Sequence, residues 1–350
     1  MNKNPLFTIR YILVTLLVGV AIVSCSSQTT IKDSARAAEN LAWPPAPSSP
    51  RIKFIEAFAN PEDLNITIGV FGLLKELAAG KEDNALVLPM ATVVNDLGQI
   101  FVADQGAKLI HRYDKKRGKH VKIKIFGDKS FASPVGLAAD AEGNVYITDS
   151  DLAKIYKITI NDDKAEAVHL DGDFLRPTGI AVDHGSGWIY VVDTGLHAVY
   201  IFTQEGKLVK RLGGRGTGEG EFNFPTYIGQ DKERNILVTD SLNFRVQKFD
   251  RFGRYLAQFG KAGNGTGDLA RPKGIAEDSA GHIYITDALF HTVQIFDSGG
   301  NFLLNFGIQG TAIGEFWLPV GIFIDKNDYI YVSDSYNRRV QVFQYIGEPQ

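Results

Sequence analysis

Six aspartates recur along this chain at nearly regular intervals, and carboxylates in such a series could form an array of metal ligands. Each of them closes an aromatic and β-branched run, where an Asp side chain can also accept hydrogen bonds from the backbone N–H groups of its turn. Because the same residue closes every run, we expect turn capping rather than metal binding. The six are Asp104, Asp149, Asp193, Asp240, Asp287 and Asp334.

Two histidines, His197 and His291, occupy the same place after the third and fifth of these runs, four residues beyond the closing Asp. Imidazole is a common zinc ligand, but a catalytic zinc ion takes more protein ligands than these two residues supply. A third ligand would have to be acidic or absent. We therefore predict no cofactor and keep zinc or calcium as the alternative, with these two histidines as the candidate metal ligands.

The aspartates and histidines belong to a unit of about 45 residues that occurs six times. Each unit opens with a Pro, which is followed by a short apolar run, a polar turn, the run that the Asp closes and two further runs. Four strand-like runs in a unit of this length are typical of a propeller blade. The opening prolines are Pro89, Pro134, Pro177, Pro225, Pro272 and Pro319.

The details of the repeat resemble the NHL-repeat family. The linkers before the last three prolines are rich in glycine, as in GGRGTGEGEFNFP, and the third run of the last unit reads DSYNRRVQVF. The resemblance implies an all-β fold, a six-bladed β-propeller of four-stranded NHL-type blades over residues 85–346. Arg245 and Arg339 begin third strands in equivalent positions, and we interpret them as salt-bridge partners within their blades.

The last unit lacks a fourth strand, because too few residues follow Phe343 to form one. An unpaired strand edge at that place would favour aggregation. Upstream, residues 51–58 read RIKFIEAF and are similar to the fourth runs of the other units. We predict that this N-terminal strand completes the last blade and closes the ring. Residues 59–84 are then an insert, in which Ile68–Leu77 is predicted to form a short helix.

The N-terminal segment has the character of an export signal. Residues 1–24 combine a basic start with an apolar run that is shorter than a membrane span. The residues Ile22–Cys25 resemble the bacterial lipobox, and Cys25 is the only cysteine of the chain. We predict a lipidated Cys25, a Pro-rich tether over residues 25–50, and a lipid-anchored protein of the bacterial cell envelope, with the periplasmic side of the outer membrane favoured. Docking of Trp43 on the folded domain is the alternative to a fully extended tether.

The charge balance bears on the kind of partner. The chain has 37 Lys and Arg against 40 Asp and Glu, which gives a formal net charge of −3. Proteins that bind nucleic acid usually carry a basic excess, so we predict no nucleic-acid partner.

In a propeller blade, the residues beside the opening Pro and those just after the closing Asp share one face. The units differ there, and aromatic and cationic side chains are good anchors for a partner. We predict a non-catalytic interaction module that binds an envelope protein or peptide. The candidate binding residues are Lys108, His197, Tyr227, Lys273, Phe290, His291 and Arg338.

The resemblance also leaves an enzyme open. NHL-like propellers include a zinc-dependent peptidyl-hydroxyglycine lyase, and sugar lactonases use a similar six-bladed frame around a divalent ion. The alternative function is a metal-dependent lyase or lactonase-like hydrolase with its site at the channel mouth. Glu277 lies in an inner strand; we interpret it as a solvated turn residue, with a position facing the channel as the alternative.

Overall fold

The computed structural model describes residues 31–67, 83–127, 129–160 and 162–347. The predicted signal peptide, the lipidation site at Cys25 and the predicted helix at Ile68–Leu77 lie outside these residues. No helix within the described ranges is long and apolar enough to cross a membrane.

Short strands dominate the described chain, with one α-helix near its start and three 3₁₀ turns. In chain order the elements are α1 Ile31–Ala37, β1 Ala42–Trp43, β2 Ile52–Phe58, a 3₁₀ turn at Pro61–Leu64, β3 Pro89–Val94, β4 Ile100–Asp104, β5 Leu109–Asp114, β6 Lys119–Ile125, β7 Pro134–Ala139, β8 Val145–Asp149, β9 Lys154–Ile158, β10 Lys164–Ala167, β11 Pro177–Val182, β12 Ile189–Asp193, β13 Ala198–Phe202, β14 Leu208–Gly213, β15 Pro225–Gln230, β16 Ile236–Asp240, a 3₁₀ turn at Ser241–Asn243, β17 Arg245–Phe249, β18 Tyr255–Phe259, β19 Pro272–Glu277, β20 Ile283–Asp287, β21 Thr292–Phe296, β22 Phe302–Phe306, β23 Ile322–Ile324, β24 Tyr329–Asp334, a 3₁₀ turn at Ser335–Asn337 and β25 Arg339–Tyr345.

The strands form six blades, each with four antiparallel strands, which confirms the predicted all-β propeller. In addition, β6 of blade 1 pairs in parallel with β10 of blade 2, and β1 adds a fifth strand to blade 6. Blade 1 is β3–β6, blade 2 is β7–β10, blade 3 is β11–β14, blade 4 is β15–β18 and blade 5 is β19–β22. Blade 6 combines β23, β24 and β25 with β2. The first strands of neighbouring blades contact one another in turn, and β23 of blade 6 returns to β3 of blade 1, so the ring is closed.

The N-terminal strand completes the last blade, as the sequence predicts. β2 pairs antiparallel with β25 along its length, from Ile52 opposite Tyr345 to Phe58 opposite Val340. The exposed edge that β25 would otherwise present is therefore covered by a strand from the other end of the chain.

The segment before β2 differs from the extended tether expected for residues 25–50. Residues 31–37 are helical, and β1 pairs with β2 as a fifth strand of blade 6. The ring of Trp43 lies 5.5 Å from that of Phe306 and 5.6 Å from that of Phe343. Because Leu41 and Trp43 gain apolar partners by docking, this part of the segment packs on the propeller instead of extending away from it.

The hydrophobic core lies between successive blades. In one cluster, Val192 and Val199 of blade 3 pack with Ile228 and Val238 of blade 4. Adjacent first strands approach so closely that a Cβ atom on Gly179 would come within 2.7 Å of the Tyr227 Cα atom. This close approach explains why a Gly lies two residues after most of the opening prolines.

The six closing aspartates are turn caps, as predicted. Asp193 shows the pattern: its carboxylate accepts the backbone N–H groups of Leu175, Arg176 and Leu196. All six side chains are fully buried, and each accepts at least one backbone N–H from the linker that precedes its blade's opening Pro. They hold the linkers against the blades and are not free to form a metal array.

The two arginines that begin third strands pair with these caps. Arg245 Nε lies 2.9 Å from Asp240 Oδ2, and Arg339 Nε lies 2.8 Å from Asp334 Oδ2. The remaining guanidinium N–H groups donate to carbonyl oxygens of the Gly-rich linkers. The predicted intrablade salt bridges are confirmed, and they also explain the conformation of these linkers.

Candidate functional site

The two faces of the ring differ in the loops that they carry. In blades 1 to 5 the opening Pro pairs with the closing Asp of its own blade, as Pro177 does with Asp193 and Pro225 with Asp240. We call the face with these residues the Pro face. The opposite face, which carries the turns between first and second strands, is called the turn face. The sequence-predicted binding residues all belong to loops or strand starts on the Pro face.

Large apolar side chains are exposed around the Pro face. Eight of them lie within three residues of an opening Pro or a closing Asp; four come from blades and four from the linkers that lead into blades. The Trp317 and Tyr336 rings are neighbours, with centroids 6.1 Å apart. Exposed apolar groups that cluster in this way are typical of interaction surfaces. The eight are Val87, Leu152, Leu175, Phe224, Leu242, Leu289, Trp317 and Tyr336.

Three cations share the centre of this face. Lys273 follows the opening Pro of blade 5, and Arg271 and Arg176 precede the opening prolines of blades 5 and 3. Burial first, and then the charges of Arg271 and Arg176, lower the pKa of Lys273 to about 8. In the described part of the chain, none of the three side chains forms an ion pair or a hydrogen bond. This centre is therefore an unsatisfied positive site that favours an anionic group.

Tyr227 lies inside the channel, not on the exposed part of the Pro face. Its hydroxyl donates a hydrogen bond of 3.0 Å to the carbonyl oxygen of Met90, which belongs to the blade on the opposite side of the ring. Burial raises the pKa of the Tyr227 hydroxyl above its usual range. The side chain therefore crosses the channel, and its hydroxyl is already used within the fold.

The two histidines hold linkers in place. His197 Nδ1 accepts the backbone N–H of Phe224 at 3.1 Å, and His291 Nδ1 accepts that of Leu318 at 3.0 Å. His197 is only 9% exposed, and its ring also contacts that of Phe224. Both rings thus have a structural role, which the sequence analysis did not assign to them.

The position four residues after the closing Asp has a left-handed backbone in all six blades, with φ between 51° and 56°. His197 and His291 occupy it in two blades, and Lys108 and Arg338 occupy it in two others with exposed side chains. Phe290 is half-buried and lines a separate recess beside blade 5. The structure therefore spreads these candidates around the rim of the Pro face and does not bring them to the three central cations.

The residues present do not fit the zinc or calcium that the enzyme alternative implies. Within the described ranges, no group of three or more His, Cys, Asp and Glu side chains converges on one point. The Nδ1 atoms of His197 and His291 are also occupied by backbone N–H groups. No catalytic step is derived from these side chains.

A cavity of about 230 Å³ occupies the channel on the turn-face side of Tyr227. All six first strands line it, and most of the lining side chains are aliphatic. Gln230 and Glu277, the last residues of β15 and β19, line the cavity together with Asn95, Asp96 and His184, and Asp96 is paired with Lys326 at 3.3 Å. Glu277 thus has the channel-facing position that was the alternative. Gln230 was missed; its sequence signal is an amide at a strand end where most other blades have aliphatic residues.

Family models match the chain over most of the ring. A model described as the Teneurin NHL domain matches residues 124–311, which is just over half of the chain. A second model, described as a 6-bladed beta-propeller, matches residues 275–348.

Among curated proteins, peptidyl-glycine alpha-amidating monooxygenase from Mus musculus is 27% identical over 138 residues, and the protein from Rattus norvegicus matches to the same extent. The match covers 35% of this chain and only 14% of the length of those relatives.

Solved structures share the fold at low identity. Virginiamycin B lyase from Staphylococcus aureus has a TM-score of 0.56 at 16% identity, covering 74% of this chain and 96% of that one. A gluconolactonase from Xanthomonas campestris has a TM-score of 0.58 at 15% identity, covering 74% and 86%. An auxiliary nutrient binding protein from Bacteroides thetaiotaomicron has a TM-score of 0.60 at 11% identity, covering 76% and 71%.

Proposed function

Because the chain belongs to the NHL-repeat family of six-bladed β-propellers, we propose that its Pro face is a protein or peptide interaction surface. The partner presents a carboxylate, from an acidic side chain or a chain end, between apolar side chains. One observation carries the proposal: three cations without anionic partners lie at the centre of a face on which eight large apolar side chains are exposed.

The charges support a carboxylate as the central contact. Lys273 is largely buried beside Arg271 and Arg176, and like charges at close range repel. A carboxylate placed between them removes that repulsion and forms charge-assisted hydrogen bonds, which are stronger than those between neutral groups. The guanidinium groups of Arg271 and Arg176 are exposed and can contact it from the solvent side.

The apolar side chains supply contact area around the charged centre. Trp317, Tyr336 and Phe224 are exposed aromatic residues, a class that is enriched among the dominant contacts of protein interfaces. Leu175 and Leu289 extend the apolar rim to the blades that carry Arg176 and Lys273. Electrostatic complementarity at the centre then fixes the register of the partner on a largely apolar rim.

A matched pair of probe peptides tests this function. Isothermal titration calorimetry measures binding of the acetylated and amidated peptide GSLFDFLSG and of its analogue GSLFNFLSG, in which Asn replaces Asp. We expect the Asp peptide to bind about tenfold more tightly, which corresponds to about 1.4 kcal/mol. In the variant Lys273→Met the preference for Asp should fall below about threefold.

The control is Lys326→Met, which removes an exposed cation from the turn face, where Lys326 pairs with Asp96. This variant should keep the preference for the Asp peptide. Equal binding of the two peptides by the unaltered protein, or equal effects of the two Lys variants, would contradict the proposal.

The site of action belongs to the same proposal. Lipidation at Cys25 would place the propeller at the surface of the bacterial envelope, where the partner is an envelope protein or peptide. The basis is the lipobox-like sequence at Ile22–Cys25.

A further inference from the structure

The Pro-face proposal leaves the cavity on the other side of Tyr227 without a role. We infer that this cavity is a second binding site, open to the turn face, for a small apolar molecule with an ammonium group. The aliphatic part of the ligand lies along the channel, and its ammonium group donates hydrogen bonds to Glu277. This site is independent of the Pro face.

The walls of the cavity favour a ligand whose main part is apolar. Ile180, Ile228, Ile275 and Ile322 line it from four different blades. A concave site with aliphatic walls and a few polar groups at one end is the usual architecture of a small-molecule pocket. The volume of about 230 Å³ limits the ligand to a small molecule.

At the polar end of the cavity, two side-chain atoms have no hydrogen-bond partner among the described residues. Glu277 Oε2 accepts the backbone N–H of Lys232 at 2.8 Å, whereas no hydrogen bond reaches Oε1 from the described residues. Gln230 Nε2 is buried and has no partner in the described part of the chain. By contrast, Asn95 is fully engaged with Gln99 and with nearby backbone groups. Glu277 Oε1 is therefore available to a donor that enters from the turn face.

The charges around Glu277 favour a cationic donor. Burial, and then the neighbouring Asp231 and Glu233, raise the pKa of Glu277 to about 7, while the charge of Lys232 partly offsets them. Asp231 is already paired with Lys248 at 2.7 Å. A ligand ammonium group would stabilise the ionised carboxylate and offset its repulsion by the two acids.

Three probes with the same carbon skeleton test the site: hexylammonium, 1-hexanol and hexanoate. Binding to the purified protein is measured at pH 7 by calorimetry and by chemical-shift changes in the methyl groups of isoleucine. We expect hexylammonium to bind about tenfold more tightly than 1-hexanol, and hexanoate to bind most weakly. This comparison needs no variant. Absence of saturable binding by any probe, or hexanoate binding as tightly as hexylammonium, would overturn the inference.

Two matched variants then locate the ammonium group. Glu277→Gln should reduce the preference for hexylammonium over 1-hexanol to about twofold or less. Glu233→Gln removes the same charge from an exposed neighbour that does not line the cavity, and it should leave most of the preference. Equal losses in both variants would refute the role of Glu277. Lys273→Met should leave hexylammonium binding unchanged, so failure of this site and failure of the Pro-face proposal are distinguishable.

Discussion

At the scale of single residues, Lys273 carries a positive charge in a place where its surroundings oppose it. The side chain is largely buried, the nearest charges are those of Arg271 and Arg176, and no carboxylate pairs with it among the described residues. A group in this position lowers the stability of the fold, and such groups occur where function requires them.

Replacing Lys273 by Met should therefore stabilise the protein, by about 1–2 kcal/mol at neutral pH. The pKa is about 8 in the folded protein, below the ordinary Lys value of 10.5, so the unfolded chain binds more protons between these values. The stability of the unaltered protein relative to the Met variant should then rise with pH from about 8 to about 10.5. Urea unfolding followed by Trp fluorescence measures this difference, and Lys326→Met on the turn face is the exposed control. A Met variant that is less stable near pH 7 would contradict the argument.

For Glu277 we predict the opposite dependence of stability on pH. Its pKa is about 7 in the folded protein against an ordinary value of 4.5, so the folded state binds more protons between these values. The unaltered protein should lose about 1–2 kcal/mol relative to Glu277→Gln as pH rises from about 4.5 to about 7. Below that range the two stabilities should differ little. Unfolding curves near pH 4 and near pH 8 check this, and a constant difference across the range would count against the burial of Glu277.

Single residues also show what sequence reasoning could and could not supply. The closing aspartates were predictable because every repeat contains one. His197 and His291 were visible as equivalent positions, but their partners, the N–H groups of Phe224 and Leu318, lie in the linker of the next blade. For Tyr227 the partner is a carbonyl oxygen across the ring. Such contacts depend on tertiary geometry, which a single repeat does not encode.

At the scale of elements, the role of β2 was predictable because one repeat is incomplete. The last repeat lacks a fourth strand, and only one upstream segment had the matching pattern. The helix α1 and strand β1 were not predictable in the same way, because residues 31–43 have no counterpart among the repeats. Their docking depends on Leu41 and Trp43 meeting apolar side chains of blades 5 and 6.

The packing of the closing strand β2 against β25 can be weakened by changing one side chain. Phe54 is 1% exposed, and its ring lies 5.7 Å from that of Phe343 in β25. Phe54→Ala should lower the free energy of unfolding by about 3–5 kcal/mol, since it leaves a cavity between the two ends of the chain. The neighbouring Ile55 points outward and is 36% exposed, so Ile55→Ala should cost much less. Thermal and urea unfolding compare the two variants, and equal losses would mean that β2 does not close the ring tightly.

At the scale of the whole molecule, the two binding sites that we propose lie on opposite sides of the ring. The Pro face carries an unpaired positive centre within an apolar rim, whereas the turn face leads to a cavity that ends at an acid. Tyr227 crosses the channel between them. The sequence predicted the ring, because six similar units leave few other arrangements. It could not predict that the channel is divided, since one residue in one blade causes this.

The location of the molecule is tested on the full chain. In a Gram-negative host, the unaltered protein should fractionate with membranes and incorporate labelled palmitate, because the proposed lipid chain on Cys25 would anchor it. Cys25→Ser should abolish the labelling and release the protein from the membrane fraction. Equal labelling of both proteins would disprove lipidation at Cys25. Resistance to protease in intact cells, lost when the outer membrane is permeabilised, would support the periplasmic side.

Ring closure by β2 has a consequence for biogenesis. β2 is synthesised before all six repeats, yet its partner β25 ends at Tyr345. The early strand must therefore wait for its β25 partner until nearly the whole chain has been made, a delay during which chaperones and proteases can act on it. A chain that is interrupted before β25 keeps open sheet edges at both of its ends, which favours its aggregation or degradation. The pairing of the first blade strand with the last thus distinguishes finished chains from unfinished ones.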